Sequence, residues 1–116
     1  GISQPRADLL AYRYGTRASP IAEAEAVAKS GYIDGAEHYS VAEITWICEH
    51  ERVTRLEDIV LRRTLMAFEG VVTMKGLKEI AAIMRPILGW TARQCENEVM
   101  STAELLRDRH RMRLTA

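Results

Sequence analysis

The sequence has no apolar run that approaches the roughly 20 residues needed to cross a bilayer. Its first ten residues, GISQPRADLL, also lack the charged and then apolar pattern of a secretory leader. The chain begins without methionine, at a residue that starts no motif, as a piece of a longer protein would. We therefore expect a cytoplasmic chain with no targeting segment or membrane anchor of its own.

The chain also has no net charge and only two cysteines. Sixteen basic side chains balance sixteen acidic ones, so no overall field draws the chain to polyanions, and a general nucleic-acid binder is disfavoured. The two cysteines, Cys48 and Cys95, lie in separate apolar helical patterns. In such patterns free buried thiols are commoner than a disulfide or a ligand pair. These features predict a protein of a reducing compartment.

Motifs that carry chemistry are missing. The seven glycines are scattered and form neither G-x-G-x-x-G nor a P-loop. Glu49, His50 and Glu51 are adjacent, but neighbours on a helix point in different directions, which disfavours a metal site. His38 lies among polar loop residues and is interpreted as a solvated side chain. The sequence therefore assigns no catalytic, cofactor-binding or metal-binding residue.

Helical periodicity is what the sequence does contain. Apolar residues recur at helical spacing nearly everywhere, which predicts one all-α domain over residues 1–116. We expect a single compact bundle of about five to six helices with non-parallel packing. Proline near a helix start and glycine at its end give the first boundaries. The first two predicted helices run from Pro5 to Gly15 and from Ser19 to Gly31.

Capping boxes predict three further helix starts, because each pair satisfies two free backbone N–H groups. The helix that the second box opens is apolar on several sides as far as Phe68, and we expect it to be central. The next helix ends at Gly89, and Pro86 should distort its last turns. The three boxes are Ser40 with Glu43, Thr54 with Glu57, and Thr91 with Gln94.

One region between these helices has a non-helical interpretation. From Gly31 to Tyr39, two glycines and an aspartate interrupt any period, which predicts a connection in which a short extended stretch is possible.

Trp46 and Trp90 lie next to helix boundaries, where such rings usually seal a core. We favour that role over stacking on a ligand.

Basic residues gather near the end of the chain, at Arg107, Arg109, His110, Arg111 and Arg113. Cations at a helix C-terminus complement its macrodipole, and this is the interpretation we favour. Contact with anionic lipid or with an acidic partner is the alternative.

Arg62 and Arg63 are predicted to have structural roles rather than to form a phosphate site. Asp58 lies four residues before Arg62, so the two can pair on one helix. Arg63 continues the apolar stripe and has no carboxylate four residues before it. A guanidinium is seldom buried unpaired, so we expect a buried Arg63 with Glu43 or Glu51 as its partner.

The segment HYSVAEITWICEHERVTRLEDIVLRRTLMAF, residues 38–68, resembles the C-terminal helical domain of the FAD-dependent, quinone-linked glycerol-3-phosphate dehydrogenases. The family's usual flanks are also present, as RYG at residues 13–15 and LGW at residues 88–90. Leu65 stands where the family often has a basic residue, and Trp46 where it often has tyrosine. The matching positions are Tyr39, Ser40, Glu43, Ile44, Glu51 and Thr54 through Thr64.

The resemblance implies a parent enzyme that oxidises sn-glycerol 3-phosphate to dihydroxyacetone phosphate on FAD and passes electrons to membrane quinone. It places flavin and substrate in a large N-terminal part, which makes that FAD domain the implied partner. No cofactor is implied for residues 1–116, which should be colourless and inactive alone. Further possible partners, through the parent enzyme, are a membrane surface and a second copy of the enzyme. The parent would be cytoplasmic or peripheral at the membrane.

A different class of function stays open at this point. Two short helices joined near ERVTRLED, residues 51–58, could imitate a helix-turn-helix of a DNA-binding or regulatory module. The turn lacks glycine, and the second helix is too apolar to lie in a groove. A stand-alone protein-interaction bundle is the remaining alternative.

Overall fold

The computed structural model describes residues 2–28, 31–109 and 114. Helices dominate these residues, which confirms the predicted all-α bundle of five to six helices. A 3-10 turn at Gly15–Arg17 and a π-helix at Asp58–Arg63 complete the helical elements. The six α-helices of the described chain are α1 (Gln4–Tyr14), α2 (Ala18–Ala28), α3 (Val41–His50), α4 (Met66–Glu69), α5 (Met74–Leu88) and α6 (Ala92–Arg109).

The first helix begins and ends close to the predicted residues, and the second begins close to its predicted start. The side chain of Ser3 caps α1 by accepting a hydrogen bond from the Arg6 amide, and proline occupies its first turn. Gly15 ends α1 with a φ of 58°, a value that glycine adopts without steric cost. A single 3-10 turn then leads into α2, which begins at Ala18, one residue before the predicted Ser19.

Two of the three capping boxes form as predicted. Ser40 accepts from the Glu43 amide at 3.0 Å, and the Glu43 carboxylate accepts from the Ser40 amide at 3.2 Å. Thr91 and Gln94 make the same exchange at 2.8 and 3.1 Å at the start of α6. Both pairs satisfy amides that would otherwise lack a partner in the first turn.

The predicted box of Thr54 with Glu57 is wrong. Asp58 takes its place, because the Asp58 carboxylate accepts from the backbone amides of Thr54 at 3.1 Å and Arg55 at 3.0 Å. The Glu57 side chain makes no capping hydrogen bond. One carboxylate one residue further along therefore satisfies both free amides.

The continuous central helix predicted as far as Phe68 is also wrong. The π-helix ends at Thr64, whose backbone is extended and whose hydroxyl donates to the Ile59 carbonyl at 2.8 Å. The chain then turns into α4, one turn long, and leaves Phe68 89% exposed. Ile59, Val60 and Met66 of the segment are buried in the core, whereas Leu65 and Phe68 are exposed.

The predicted connection between Gly31 and Tyr39 is a β-hairpin. Strands β1 (Tyr32–Ile33) and β2 (Ala36–Ser40) pair antiparallel. Their turn contains Gly35, with a φ of 77°. The hairpin lies on α5, where the Glu79 carboxylate accepts from the Asp34 amide at 2.8 Å and Thr73 donates to the Asp34 carboxylate at 2.8 Å.

One core joins the hairpin, α3, the π-helix, α5 and α6. Trp46 and Trp90 are half-buried against this core, as predicted. Pro86 lies inside α5, and Gly89 ends that helix in the left-handed conformation, with a φ of 70°. The fully buried large side chains of the core include Ile44, Ile47, Leu56, Ile59, Leu77, Ile80, Met84 and Leu106.

Three expectations from the sequence concern cysteine, membranes and the chain end. Cys48 and Cys95 are both free thiols, as predicted, but only Cys48 is buried, whereas Cys95 is half-buried. Among the described residues, none of the helices combines the length and apolarity that a bilayer crossing requires. The predicted basic cluster lies largely outside the described residues, since His110, Arg111 and Arg113 are not among them.

Candidate functional site

A buried charge network connects the first three helices. Arg6 and Arg13 are seven residues apart on α1, which places them on one side of that helix. Arg6 is 8% exposed, and Arg13 is largely buried. Two carboxylates meet them, Glu25 from α2 and the fully buried Glu43 from α3. We refer to these four residues together with Tyr14 as the buried network.

Arg6 forms a bidentate pair with Glu25, through Nε to Oε1 at 2.7 Å and Nη2 to Oε2 at 3.0 Å. The same Nη2 donates to Glu43 Oε1 at 2.7 Å, and Nη1 donates to the His38 carbonyl at 2.7 Å. Planar guanidinium matches carboxylate geometry well, so one arginine can satisfy acceptors on α2, α3 and β2 at once.

Arg13 and Tyr14 satisfy the other carboxylate oxygen of Glu43. Arg13 Nη1 donates to Glu43 Oε2 at 2.8 Å and to the His38 carbonyl at 2.6 Å. The Tyr14 hydroxyl donates to the same Glu43 oxygen. The positive charges of Arg6 and Arg13 therefore balance the negative charges of Glu25 and Glu43. Throughout the described part of the chain, every buried side-chain nitrogen or oxygen has a hydrogen-bond partner.

The pKa values follow from this arrangement. Burial alone would raise the pKa of Glu25, but hydrogen bonds from Arg6 and Ser40 outweigh it and leave that pKa below its usual value. Burial and the adjacent Glu43 carboxylate raise the pKa of Tyr14, so its phenol stays protonated as a donor.

Burial raises the pKa of the Cys48 thiol to about 12, which makes that thiol unreactive at neutral pH.

The lowered pKa of Glu25 predicts an acid-dependent loss of stability. A depressed folded-state pKa stabilises the fold above the pKa of an unfolded glutamate, about 4.3, and this contribution disappears as the pH falls through the folded value. Glu25→Gln should therefore lose about 1.5 to 3 kcal/mol of unfolding free energy at pH 7. The difference from the original chain should shrink toward pH 3. Urea unfolding at both pH values measures this.

Glu23→Gln is the matched control for Glu25→Gln, because Glu23 is exposed on the same helix. Its effect should be within about 0.5 kcal/mol at both pH values. A Glu25→Gln effect that is equally small at pH 7 would contradict the stabilising role of this ion pair.

The predicted roles of Arg62 and Arg63 are confirmed in part. Arg62 pairs with Asp58 at 3.5 Å across one turn, and Arg63 approaches Glu51 at 3.6 Å, so both predicted partners are present. The predicted burial of Arg63 is wrong, because its side chain is 38% exposed. The π-helix ends directly after Arg63, which places that residue at the surface. Arg6 and Arg13 are the arginines that hold helices together.

A surface cleft of about 470 Å³ borders the buried network. Arg13 and Tyr39 both line it, and the guanidinium of Arg13 lies 3.8 Å from the centre of the Tyr39 ring. The Tyr39 hydroxyl accepts from the Leu65 amide at 3.0 Å, which ties β2 to the segment after the π-helix. The lining residues are Tyr12, Arg13, Tyr14, Tyr39, Arg62, Arg63, Thr64 and Leu65.

The cleft brings together segments that are far apart in the sequence. The RYG segment at residues 13–15 supplies Arg13 and Tyr14, and β2 supplies Tyr39. The RRT segment at residues 62–64 supplies the other side. The buried network was not predicted from the sequence, although the seven-residue spacing of Arg6 and Arg13 could have indicated that they share a partner.

The described residues do not form a dinucleotide-binding fold. A dinucleotide fold needs parallel strands with a glycine-rich turn at a helix start, whereas β1 and β2 form an antiparallel hairpin. In the described part of the chain, no group of three or more acidic, histidine or cysteine side chains could hold a metal ion. His50 instead stacks on Trp46, with ring centroids 4.4 Å apart.

The family described as the C-terminal domain of alpha-glycerophosphate oxidase matches residues 1–95 of this chain. The chain belongs to this family. It is therefore the C-terminal accessory domain of a flavin-dependent oxidoreductase, in agreement with the resemblance found in the sequence. No curated protein and no solved structure matches the chain. The matched range contains the whole buried network and all residues that line the cleft.

Proposed function

We propose that this chain is the accessory domain of an FAD-dependent enzyme that oxidises sn-glycerol 3-phosphate to dihydroxyacetone phosphate. The family match over residues 1–95 carries this proposal. The domain itself is non-catalytic in this proposal, since the charges of the buried network are mutually satisfied and none is free to act on a substrate. Its partner is the N-terminal FAD domain of the same enzyme.

The geometry supports a structural or interaction role for the domain. The buried network fixes α1 and α2 against α3, and thereby sets the position of Arg13 and Tyr39 at the cleft. A rigid support of this kind orients the side chains that meet a partner and lowers the entropic cost of binding.

Two electron acceptors are consistent with the proposal. We propose membrane quinone, which would make the parent a dehydrogenase that is cytoplasmic and peripheral at the membrane. The family description names an oxidase, which favours molecular oxygen as a second candidate. Quinone would be reduced to quinol, whereas oxygen would be reduced to hydrogen peroxide.

A DNA-binding module is not favoured. The segment that would serve as a recognition helix is a six-residue π-helix followed by a four-residue α-helix. Leu56, just before this segment, and Ile59 and Val60 within it are fully buried and inaccessible to a groove.

The test is to express the complete reading frame that contains this chain. We expect a yellow protein with stoichiometric flavin, reduced by sn-glycerol 3-phosphate under anaerobic conditions. Reoxidation by a soluble quinone, compared with peroxide formation in air, then distinguishes the two acceptors. Residues 1–116 alone should show neither colour nor reduction. A complete protein without flavin, or with flavin that glycerol 3-phosphate does not reduce, would contradict the proposal.

A further inference from the structure

Large apolar side chains are exposed beside the cleft. Tyr12 is 88% exposed and lines the cleft together with Leu65, which is 57% exposed. Phe68 follows Leu65 by three residues, about one helical turn, and is 89% exposed. Arg62 and Arg63 shortly precede Leu65 in the sequence and also line the cleft. We call these five residues the docking surface.

The docking surface is positively charged. Its charges are those of Arg62 and Arg63, and no carboxylate is among the described lining residues of the cleft. Arg62 and Arg63 reach Asp58 and Glu51 only at 3.5 and 3.6 Å. These distances exceed the roughly 2.7 to 2.9 Å typical of a charge-assisted hydrogen bond. Both guanidinium groups therefore keep donors that can bind a carboxylate from another surface.

The composition favours a protein partner over a small anion. Tyrosine, phenylalanine and arginine are enriched at the centres of protein interfaces, where aromatic side chains supply most of the buried apolar area. A phosphate ion would use the arginines and leave Tyr12, Leu65 and Phe68 in water.

We propose that the docking surface binds the flavin-binding part of the same enzyme, through a segment that carries a carboxylate beside an apolar side chain. This inference rests on the proposed function. The carboxylate would lie between Arg62 and Arg63, and the apolar side chain would cover Leu65 and Phe68. Charge complementarity with the arginine-lined cleft identifies the acidic part of the partner.

Protection of a thiol at position 68 tests the docking surface. A Phe68→Cys variant is made in a Cys95→Ser background, where the remaining Cys48 is buried. Maleimide should label it rapidly in residues 1–116 alone. In the complete flavin-containing enzyme, labelling should be at least about tenfold slower, because only the undocked fraction reacts. Equal rates in the two proteins would overturn the inference.

Met100→Cys is the matched position for this assay, since Met100 is 55% exposed on α6, outside the docking surface. Its labelling rate should be the same in the short chain and in the complete enzyme. Slow labelling at position 100 together with fast labelling at position 68 would place the partner on α6 and overturn the inference.

Charge reversal tests the acidic segment. Arg62→Glu with Arg63→Glu should restore fast labelling of Phe68→Cys in the complete enzyme, whereas Arg62→Lys with Arg63→Lys should keep substantial protection. Arg93→Glu, at an exposed position of α6, should leave protection unchanged. Unchanged urea unfolding of the short chain with the two reversals confirms that it folds. Protection that survives both reversals would rule out a carboxylate at this surface.

The outcomes separate this inference from the proposed function. The flavin spectrum of the complete protein tests the function, and an absent flavin removes both proposals. An unprotected position 68 in a flavin-containing enzyme removes only the docking surface. Inorganic phosphate supplies the last comparison: if it slows labelling of the short chain while the complete enzyme stays unprotected, the cleft binds small anions and the inference fails.

Discussion

Glu43→Ala is expected to lower the free energy of unfolding by about 3 to 5 kcal/mol, the usual cost of removing one member of a buried ion pair. The Glu43 carboxylate is fully buried and accepts hydrogen bonds from Arg6, Arg13 and Tyr14. Its loss would leave Arg13 without a carboxylate partner and would remove the cap of the Ser40 amide. Urea unfolding followed by far-ultraviolet circular dichroism measures the change.

Arg63→Ala is the comparison for Glu43→Ala. Its side chain is partly exposed and its ion pair with Glu51 is long, so the cost should be below about 1 kcal/mol. Glu43→Gln should fall between the two, because the amide keeps one acceptor but not the charge. If Glu43→Ala costs no more than Arg63→Ala, the buried network does not hold the three helices together.

Gly35→Ala should destabilise the hairpin by about 2 to 5 kcal/mol, the sum of a conformational and a packing cost. Gly35 has a φ of 77°, where a side chain costs roughly 1 to 2 kcal/mol. A Cβ atom there would also lie 2.5 Å from Thr73 Cγ2 and 3.0 Å from the Val71 carbonyl oxygen. The close carbonyl belongs to the backbone and cannot rotate away, so overpacking adds about 1 to 3 kcal/mol. Thermal and urea unfolding both report this loss.

Gly70→Ala separates the two contributions. Gly70 has a similar φ of 69°, but a Cβ atom added there would have nothing within 4 Å. Its substitution should therefore cost only the conformational term, about 1 to 2 kcal/mol. Equal losses at the two glycines would show that the contact between the hairpin and the Val71–Thr73 segment is looser than the structure indicates.

Local chemistry was sufficient to predict most of the helices. Helical periodicity indicated an all-α domain, and Gly15, Gly89 and the boxes at Ser40 and Thr91 gave four helix ends correctly. These signals are readable because a cap is satisfied by residues within three or four positions. The pairing of Asp58 with Arg62 is equally local and was also predicted correctly.

The hairpin could have been predicted from the sequence, but it was not. Asp34 and Gly35 form a two-residue Asp-Gly turn between the two strands, and this dipeptide is a strong local signal for a hairpin. The two glycines of residues 31–35 were instead interpreted as breaks in helical periodicity, which led to a predicted connection. The short strands, two and five residues long, contain too few alternating positions for a clear period of two.

By itself, the sequence determined the helical class, most helix ends and the family, because each depends on neighbouring residues or on motifs in order along the chain. The tertiary structure decided which charges are buried. Arg63 looked buried on a helical stripe, but the π-helix ends there and exposes it. Arg6 and Arg13 looked ordinary, yet carboxylates 19 and 30 or more residues away enclose them. Burial of a charge depends on partners that only the packing of distant helices supplies.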